Sequence, residues 1–149
     1  MSPVQLSLKG RALRLLSGRE HSRLELERKL ARFEEEPGAL KRSLDELQAK
    51  GFISEQRVIE SVLHRRAAKL GAARIKHELQ GKGLDVQAVA QAMAQIQQSE
   101  HERALLIWQK KFGSTPTTAL EAARQIRFLA ARGFGAEVIR RIVKGPASA

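Results

Sequence analysis

Apolar residues recur along this chain at three- and four-residue spacings, in short phrases separated by glycines or capping residues. Such spacing gathers the apolar side chains on one face of a helix. The stretch from Lys69 to Leu84, KLGAARIKHELQGKGL, sets the form. Gly71 breaks in at its start, Ile75 and Leu79 share one face, and Gly81-Lys82-Gly83 closes it. Glycine just past the last apolar residue stops a helix, because it takes the left-handed conformation at little cost.

The same logic predicts helices throughout. A short one spans about residues 9–17, with Leu13 and Leu16 on one side. Ser22 and Glu25 form a capping box at the head of a second, whose buried face carries Leu26, Leu30 and Phe33. The acidic run Glu34 to Glu36 leads into Pro37, which suits the first turn of a third helix carrying Leu40, Leu44 and Leu47 and stopped by Gly51. Ser54 caps a helix over about 55–70 with Val58, Ile59, Val62 and Leu63. After the central phrase, Asp85 caps a helix with Val86, Val89, Met93 and Ile96, and another over about 99–112 holds Leu105, Leu106 and Trp108. Thr115-Pro116 reads as a cap and first-turn proline for a helix that runs to Arg132 and ends at Gly133. A last helix follows Gly135 with Val138, Ile139, Ile142 and Val143, and a frayed tail begins at Gly145-Pro146. No alternating apolar pattern argues for a strand.

These helices repeat. Leu30, Leu79 and Leu129 stand 49 and 50 residues apart. Ten residues on come Leu40, Val89 and Ile139, and fourteen on come Leu44, Met93 and Val143. Two residues before each anchor stand Arg28, His77 and Arg127; two or three after stand Arg32, Lys82 and Arg132. The last two repeats also share Gly83-Leu84 and Gly133-Phe134. A helical period of this length predicts an all-α, elongated, right-handed-type array of three tandem three-helix repeats. Their expected limits are 1–52, 53–98 and 99–149, the last including the tail.

Composition narrows this little but excludes much. With 42% apolar and 29% charged residues in 149, the chain is a folded, charge-rich protein. Five Phe, one Trp and no Tyr leave the cores to Leu, Ile, Val and Ala. The absence of cysteine removes disulfides and thiol chemistry. No apolar run approaches the roughly 20 residues that cross a bilayer. The start, MSPVQLSLKGRALRLL, lacks the features of a secretory signal, so a cytoplasmic protein with no membrane partner is expected.

Charge adds a direction. Up to Glu60 there are 12 Lys and Arg against 10 Asp and Glu, a net of +2; from Ser61 there are 15 against 6, a net of +9. That asymmetry points to a polyanionic partner: nucleic acid, an acidic protein surface or anionic lipid. Arg65, Arg66, Lys69, Arg74, Lys76 and Lys82 form one cluster around a single acid, Glu78. Arg124, Arg127, Arg132, Arg140, Arg141 and Lys144 form another, with only Glu137 among them. Cations at this density neutralise phosphates without reading sequence. About a third of these side chains are expected instead to pair within the chain or lay their stems on apolar surface.

Catalytic chemistry has no visible home. His21, His64, His77 and His101 are too scattered for a local metal motif, and no cofactor or metal is expected. Gly81-Lys82 fails as a phosphate loop, since Gly83 stands where Ser or Thr should hold magnesium and Lys76 where the first glycine should be. No Gly-x-Ser-x-Gly elbow occurs. Trp108, beside Leu105 and Phe112, reads as core rather than a base-stacking platform.

The residues Arg19-Glu20-His21-Ser22, Glu25-Leu26 and Lys29-Leu30 belong to a wider pattern. It continues through Gly51-Phe52-Ile53-Ser54, Arg66, Gly71, Arg74-Ile75, Glu78-Leu79 and Lys82-Gly83-Leu84, then Phe128-Leu129, Arg132-Gly133-Phe134 and Ile139. Over about Arg11 to Lys144 the chain resembles the RecX regulatory proteins, which bind the RecA recombinase and its nucleoprotein filament. His21 stands where that family usually has tyrosine, Glu55 where aspartate is common, and Val58-Ile59 where an aromatic is typical. The resemblance implies three three-helix units without catalytic activity, and a place in DNA recombination, repair and the SOS response. It implies inhibition of recombinase ATP hydrolysis and strand exchange, by capping filament growth or lying in the filament groove. Expected partners are therefore RecA, its filament, and the backbone of single- and double-stranded DNA, met by a monomer. The alternative is a general nucleic-acid-binding protein with no recombinase partner.

Overall fold

The computed structural model describes residues 5–145, so the expected tail from Pro146 onward lies outside the described residues. The described chain is all-helical: α1 Leu8–Gly18, α2 Arg23–Leu30, α3 Ala39–Ala49, α4 Glu55–Arg66, α5 Ala72–Gly81, α6 Val86–Gln98, α7 Glu100–Lys111, α8 Ala119–Ala131 and α9 Ala136–Val143. One short 3-10 turn, Ala31–Phe33, follows α2.

Three separate apolar cores divide the helices in threes. Leu26, Leu30, Leu40, Leu44 and Leu47 centre the first, under α1–α3. Val58, Ile75, Leu79, Val89 and Met93 centre the second, under α4–α6. Trp108, Leu129, Phe134, Ile139 and Val143 centre the third, under α7–α9. The repeat anchors Leu30, Leu79 and Leu129 are the pivots, each no more than 2% exposed. Three small cores in a row leave much surface uncovered. The accessible area is 10011 Å², against the about 7,600 Å² of a compact monomer of this size. The array is elongated.

A glycine turn lies at each joint between adjacent units. The turn between α8 and α9 lies on the start of α5, where Gly71 N–H donates to the Arg132 carbonyl at 2.7 Å and Ala73 N–H to that of Gly133 at 3.2 Å. A Cβ on Gly71 would overlap the backbone of Gly133 and Phe134, so only glycine permits this approach. Gly133 itself has φ of +87°, a left-handed value that an L side chain adopts at a cost. One repeat earlier, the turn holding Gly83 lies on Leu24 of α2.

Local chemistry corrects several sequence expectations. Pro37 does not sit in the first turn of α3; it stands in a tight turn ahead of Gly38, the N-cap residue, which has φ of +87°. Thr115-Pro116 does not open α8 either. Thr118 caps it, accepting from Glu121 N–H at 3.1 Å, while the Glu121 carboxylate accepts from Thr117 N–H at 2.9 Å. The helix expected over 55–70 ends at Arg66 and closes in a turn. Leu13, Val86 and Leu106, expected on buried faces, are exposed, with Val86 at 82%. In each case neighbouring positions suffice for the core, so the extra apolar residue falls outside the stripe.

Candidate functional site

The eleven cations singled out from sequence divide by what holds them. Arg66 Nε meets Glu78 at 3.2 Å and Arg65 lies 3.9 Å from the same carboxylate, so one acid serves both. Arg140 and Arg141 share Glu137 at 2.7 and 3.3 Å. Lys82 is nearly buried and pairs with Glu25 at 3.0 Å, across the joint between the first two units. Arg74 Nη1 donates to the Ala131 carbonyl at 2.7 Å, and Arg132 Nη1 to that of Lys69 at 3.3 Å, across the second joint. Arg132 also stacks on Phe128, 4.5 Å from the ring centre. Seven of the eleven are thus engaged internally, well above the third expected.

Four remain. Lys69, in the turn after α4, Lys76 on α5, and Arg124 and Arg127 on α8 are exposed and have no ion pair among the described residues. Lys144, past α9, is exposed as well. The repeat also sets Arg28, His77 and Arg127 at one position of α2, α5 and α8, and all three are exposed.

The residues that orient the units carry charge too, and periodicity does not reveal them. Gly71, N-cap of α5, has no side chain to accept from the first turn. Glu100 of α7, only 8% exposed, takes that role and accepts from Ala72 N–H at 3.0 Å. Arg103, one turn on, donates to the Ala67 and Leu70 carbonyls at 2.7 and 2.6 Å, beyond the C-terminus of α4, and to the Ile96 carbonyl at 3.0 Å. An acid at a helix start and a cation at a helix end both complement the dipole. Together they clamp α7 onto the second unit.

In the first unit, burial alone would raise the Glu25 carboxyl, but Arg19, the Ser22 N–H and Lys82 outweigh it and bring its pKa down to about 2. His21 is 2% exposed; its Nδ1 faces the Arg19 carbonyl at 3.0 Å and its Nε2 the Lys29 ammonium at 3.2 Å. A carbonyl only accepts, so Nδ1 carries the proton and Nε2 accepts from Lys29. Burial leads the causes that lower the His21 pKa, and the ring stays neutral near pH 7. Trp108 lies in the core, its Nε1 donating to Gln125 Oε1 at 2.8 Å. Gln125 in turn donates to the Ser114 carbonyl at 3.1 Å, which fixes the loop before α8.

Among the described residues no three His, Asp or Glu side chains converge on a position that could hold a metal ion. No helix among them is long and apolar enough to cross a membrane. What the surface offers is unpartnered positive charge on an elongated helical support.

Comparison with known proteins bears on this surface. The family model described as RecX, third three-helix domain, matches residues 98–143. A regulatory protein RecX of Leptothrix cholodnii is 49% identical over 140 residues, covering 94% of this chain and 89% of that protein. The regulatory protein RecX of Ralstonia nicotianae is 46% identical over 140 residues, covering 94% and 88%. Among solved structures, RecX from Lactobacillus salivarius superposes with a TM-score of 0.74 at 19% identity, covering 92% of each chain. A second crystal structure, of regulatory protein RecX, gives 0.68 at 17% identity, covering 97% of this chain and 83% of that one.

Proposed function

This chain belongs to the RecX family of regulatory proteins, and from that premise we propose that it modulates the RecA recombinase by binding the RecA–DNA filament. Bound there, it limits filament extension, ATP hydrolysis and strand exchange. It acts without chemistry of its own, as a monomer in the cytoplasm. The observation that carries the proposal is the set of cations left unpartnered by the fold. Of the candidate cations, Lys69, Lys76, Arg124 and Arg127 are exposed without an ion pair among the described residues and lie on the second and third units, which carry net charges of +3 and +5; the first unit carries +3 and leaves Arg14, Arg28 and Arg42 exposed in the same way. Cations without an ion pair in the fold are available to acidic protein surface and to the phosphates that run along the filament. Arg65, Arg66, Arg140 and Arg141 contribute less, because Glu78 and Glu137 already offset them.

The same cations favour one other reading, a general binder of the single- or double-stranded DNA backbone. The two differ in stoichiometry. RecA ATP hydrolysis on single-stranded DNA is measured while this protein is added at a series of low ratios. Inhibition well below one copy per recombinase supports action on the filament. Inhibition only when enough is present to cover the DNA, relieved steeply by salt, overturns it in favour of competition for phosphate.

A further inference from the structure

The second and third units each present an open groove between their middle and last helices. In the second, Leu84, Val89 and Met93 form the floor of a cleft of about 450 Å³ between α5 and α6. In the third, Phe134, Ile139 and Val143 form the floor of one of about 770 Å³ between α8 and α9. The two sets of floor residues are 50 positions apart, residue for residue. The grooves are therefore one feature made twice. Each also has an apolar residue standing out of its rim: Val86, 82% exposed, in the first, and Ile126, 43% exposed, in the second. Each carries one exposed lysine with no ion pair among the described residues, Lys76 in the first and Lys144 in the second.

In the first unit the corresponding place is bridged. Between α2 and α3, the Arg23 guanidinium reaches across. It pairs with Glu27 at 3.1 Å and Asp45 at 2.7 Å, and donates to Gln48 at 2.9 Å. A crossing of polar side chains fills what the other two units leave apolar and open.

We propose that the two grooves dock two copies of one amphipathic helix with an acidic flank, carried by successive subunits of the recombinase filament. This deepens the filament reading above and rests on it. An apolar floor between two helices takes the apolar stripe of a third, anchored at i, i+3 or i+4, and i+7. The lysine at each rim selects acids beside that stripe. Duplication supplies the remaining constraint: a site repeated at fixed spacing fits a partner that is itself repeated, and two weak dockings on one support gain affinity without new contacts. Nucleic acid fits less well, because the grooves expose no aromatic platform for bases and bring one unpaired lysine each, with Arg140 of the second already held by Glu137, rather than a track of cations.

The test is binding of labelled protein to recombinase filament assembled on single-stranded DNA, with bare single-stranded DNA in parallel. Val86→Glu and Ile126→Glu place an acid on each rim at exposed positions, and Phe52→Glu does the same on the first unit as a control. Each groove variant is expected to weaken filament binding at least tenfold and the double variant to abolish it, with helicity, bare-DNA binding and the Phe52 variant unchanged. Lys76→Glu with Lys144→Glu, which leaves the apolar floor intact, is expected to weaken filament binding in the same direction. Filament binding equal to the unaltered protein's by both doubles overturns the grooves and leaves the filament reading standing. Equal loss on filament and on bare DNA assigns the grooves to nucleic acid and overturns the helix. No filament binding by the unaltered protein overturns both.

Discussion

The first unit and the third have the same skeleton and different surfaces between their last two helices. Leu30, Leu40 and Leu44 fill the core that Leu129, Ile139 and Val143 fill two repeats later, all buried. Outside the core the likeness stops. Arg23 crosses between α2 and α3 to Glu27 and Asp45, whereas the cleft between α8 and α9 is floored by Phe134 and open. Arg28 in the first unit has close acid neighbours along its own chain; Arg124 and Arg127 in the third have one, Glu121. A repeat scaffold holds its shape through a few inward positions, so the outward ones are at liberty to diverge. Between its last two helices the first unit is bridged by ion pairs, where the second and third are apolar and open.

The two joints differ in the same sense. The first is held by a nearly buried ion pair, Glu25 with Lys82. The second is held by backbone hydrogen bonds and by the buried carboxylate of Glu100.

The largest expected effect tests the shared skeleton. Leu30→Ala and Leu129→Ala should each cost about 2–5 kcal/mol in urea unfolding, because both remove a fully packed side chain. A loss below about 1 kcal/mol at either would break the equivalence of the two cores. Next comes the first joint. Glu25 has a folded pKa of about 2 against an ordinary 4.5. A carboxyl depressed on folding stabilises above its unfolded value and loses that contribution as pH falls through the folded one. Stability on the order of 2–3 kcal/mol should therefore disappear as pH falls from about 5 towards 2. Glu25→Gln should flatten the change in unfolding midpoint between pH 6 and pH 3; an unchanged slope would remove Glu25 from the joint.

At the second joint, Glu100→Ala leaves the Ala72 N–H buried without its acceptor and should cost about 1–3 kcal/mol. That loss should persist near pH 7 in high salt, unlike the effect of breaking the Glu25–Lys82 pair. Equal salt sensitivity at both would dissolve the contrast. Smallest is Thr118→Ala, which removes the N-cap of α8 at about 1 kcal/mol. Thr115→Ala should change the thermal midpoint hardly at all, and the reverse order would mean that the cap has been misplaced.

The skeleton was legible because a core speaks through local spacing. Leu30, Leu79 and Leu129 could be aligned by counting, and the caps Ser22, Ser54 and Asp85 stand where their hydroxyl or carboxylate meets the N-terminal amides. The true start of α8 was also present, as Thr118 and Glu121 in capping-box order, but Thr115-Pro116 carries the louder signal. The surface was half legible. Charge density marks clusters of cations, yet not which of them are spoken for. Arg74 finds its carbonyl 57 residues away and Arg132 finds one 63 residues away, separations that no local pattern encodes. Glu100 and Arg103 were missed for the same reason: on α7 they read as ordinary surface charges, and only the neighbouring unit turns them into caps. The grooves lie between helices, and they follow from the repeat only once Arg23 is seen to close the first.

The most direct measurement is backbone hydrogen exchange on the whole chain, alone and bound to recombinase filament. Slowed exchange in α5–α6 and α8–α9, with α1–α3 unchanged, is the expected result. Protection confined to the first unit, or absent throughout under conditions where the protein is bound, would contradict a working face built on the second and third units.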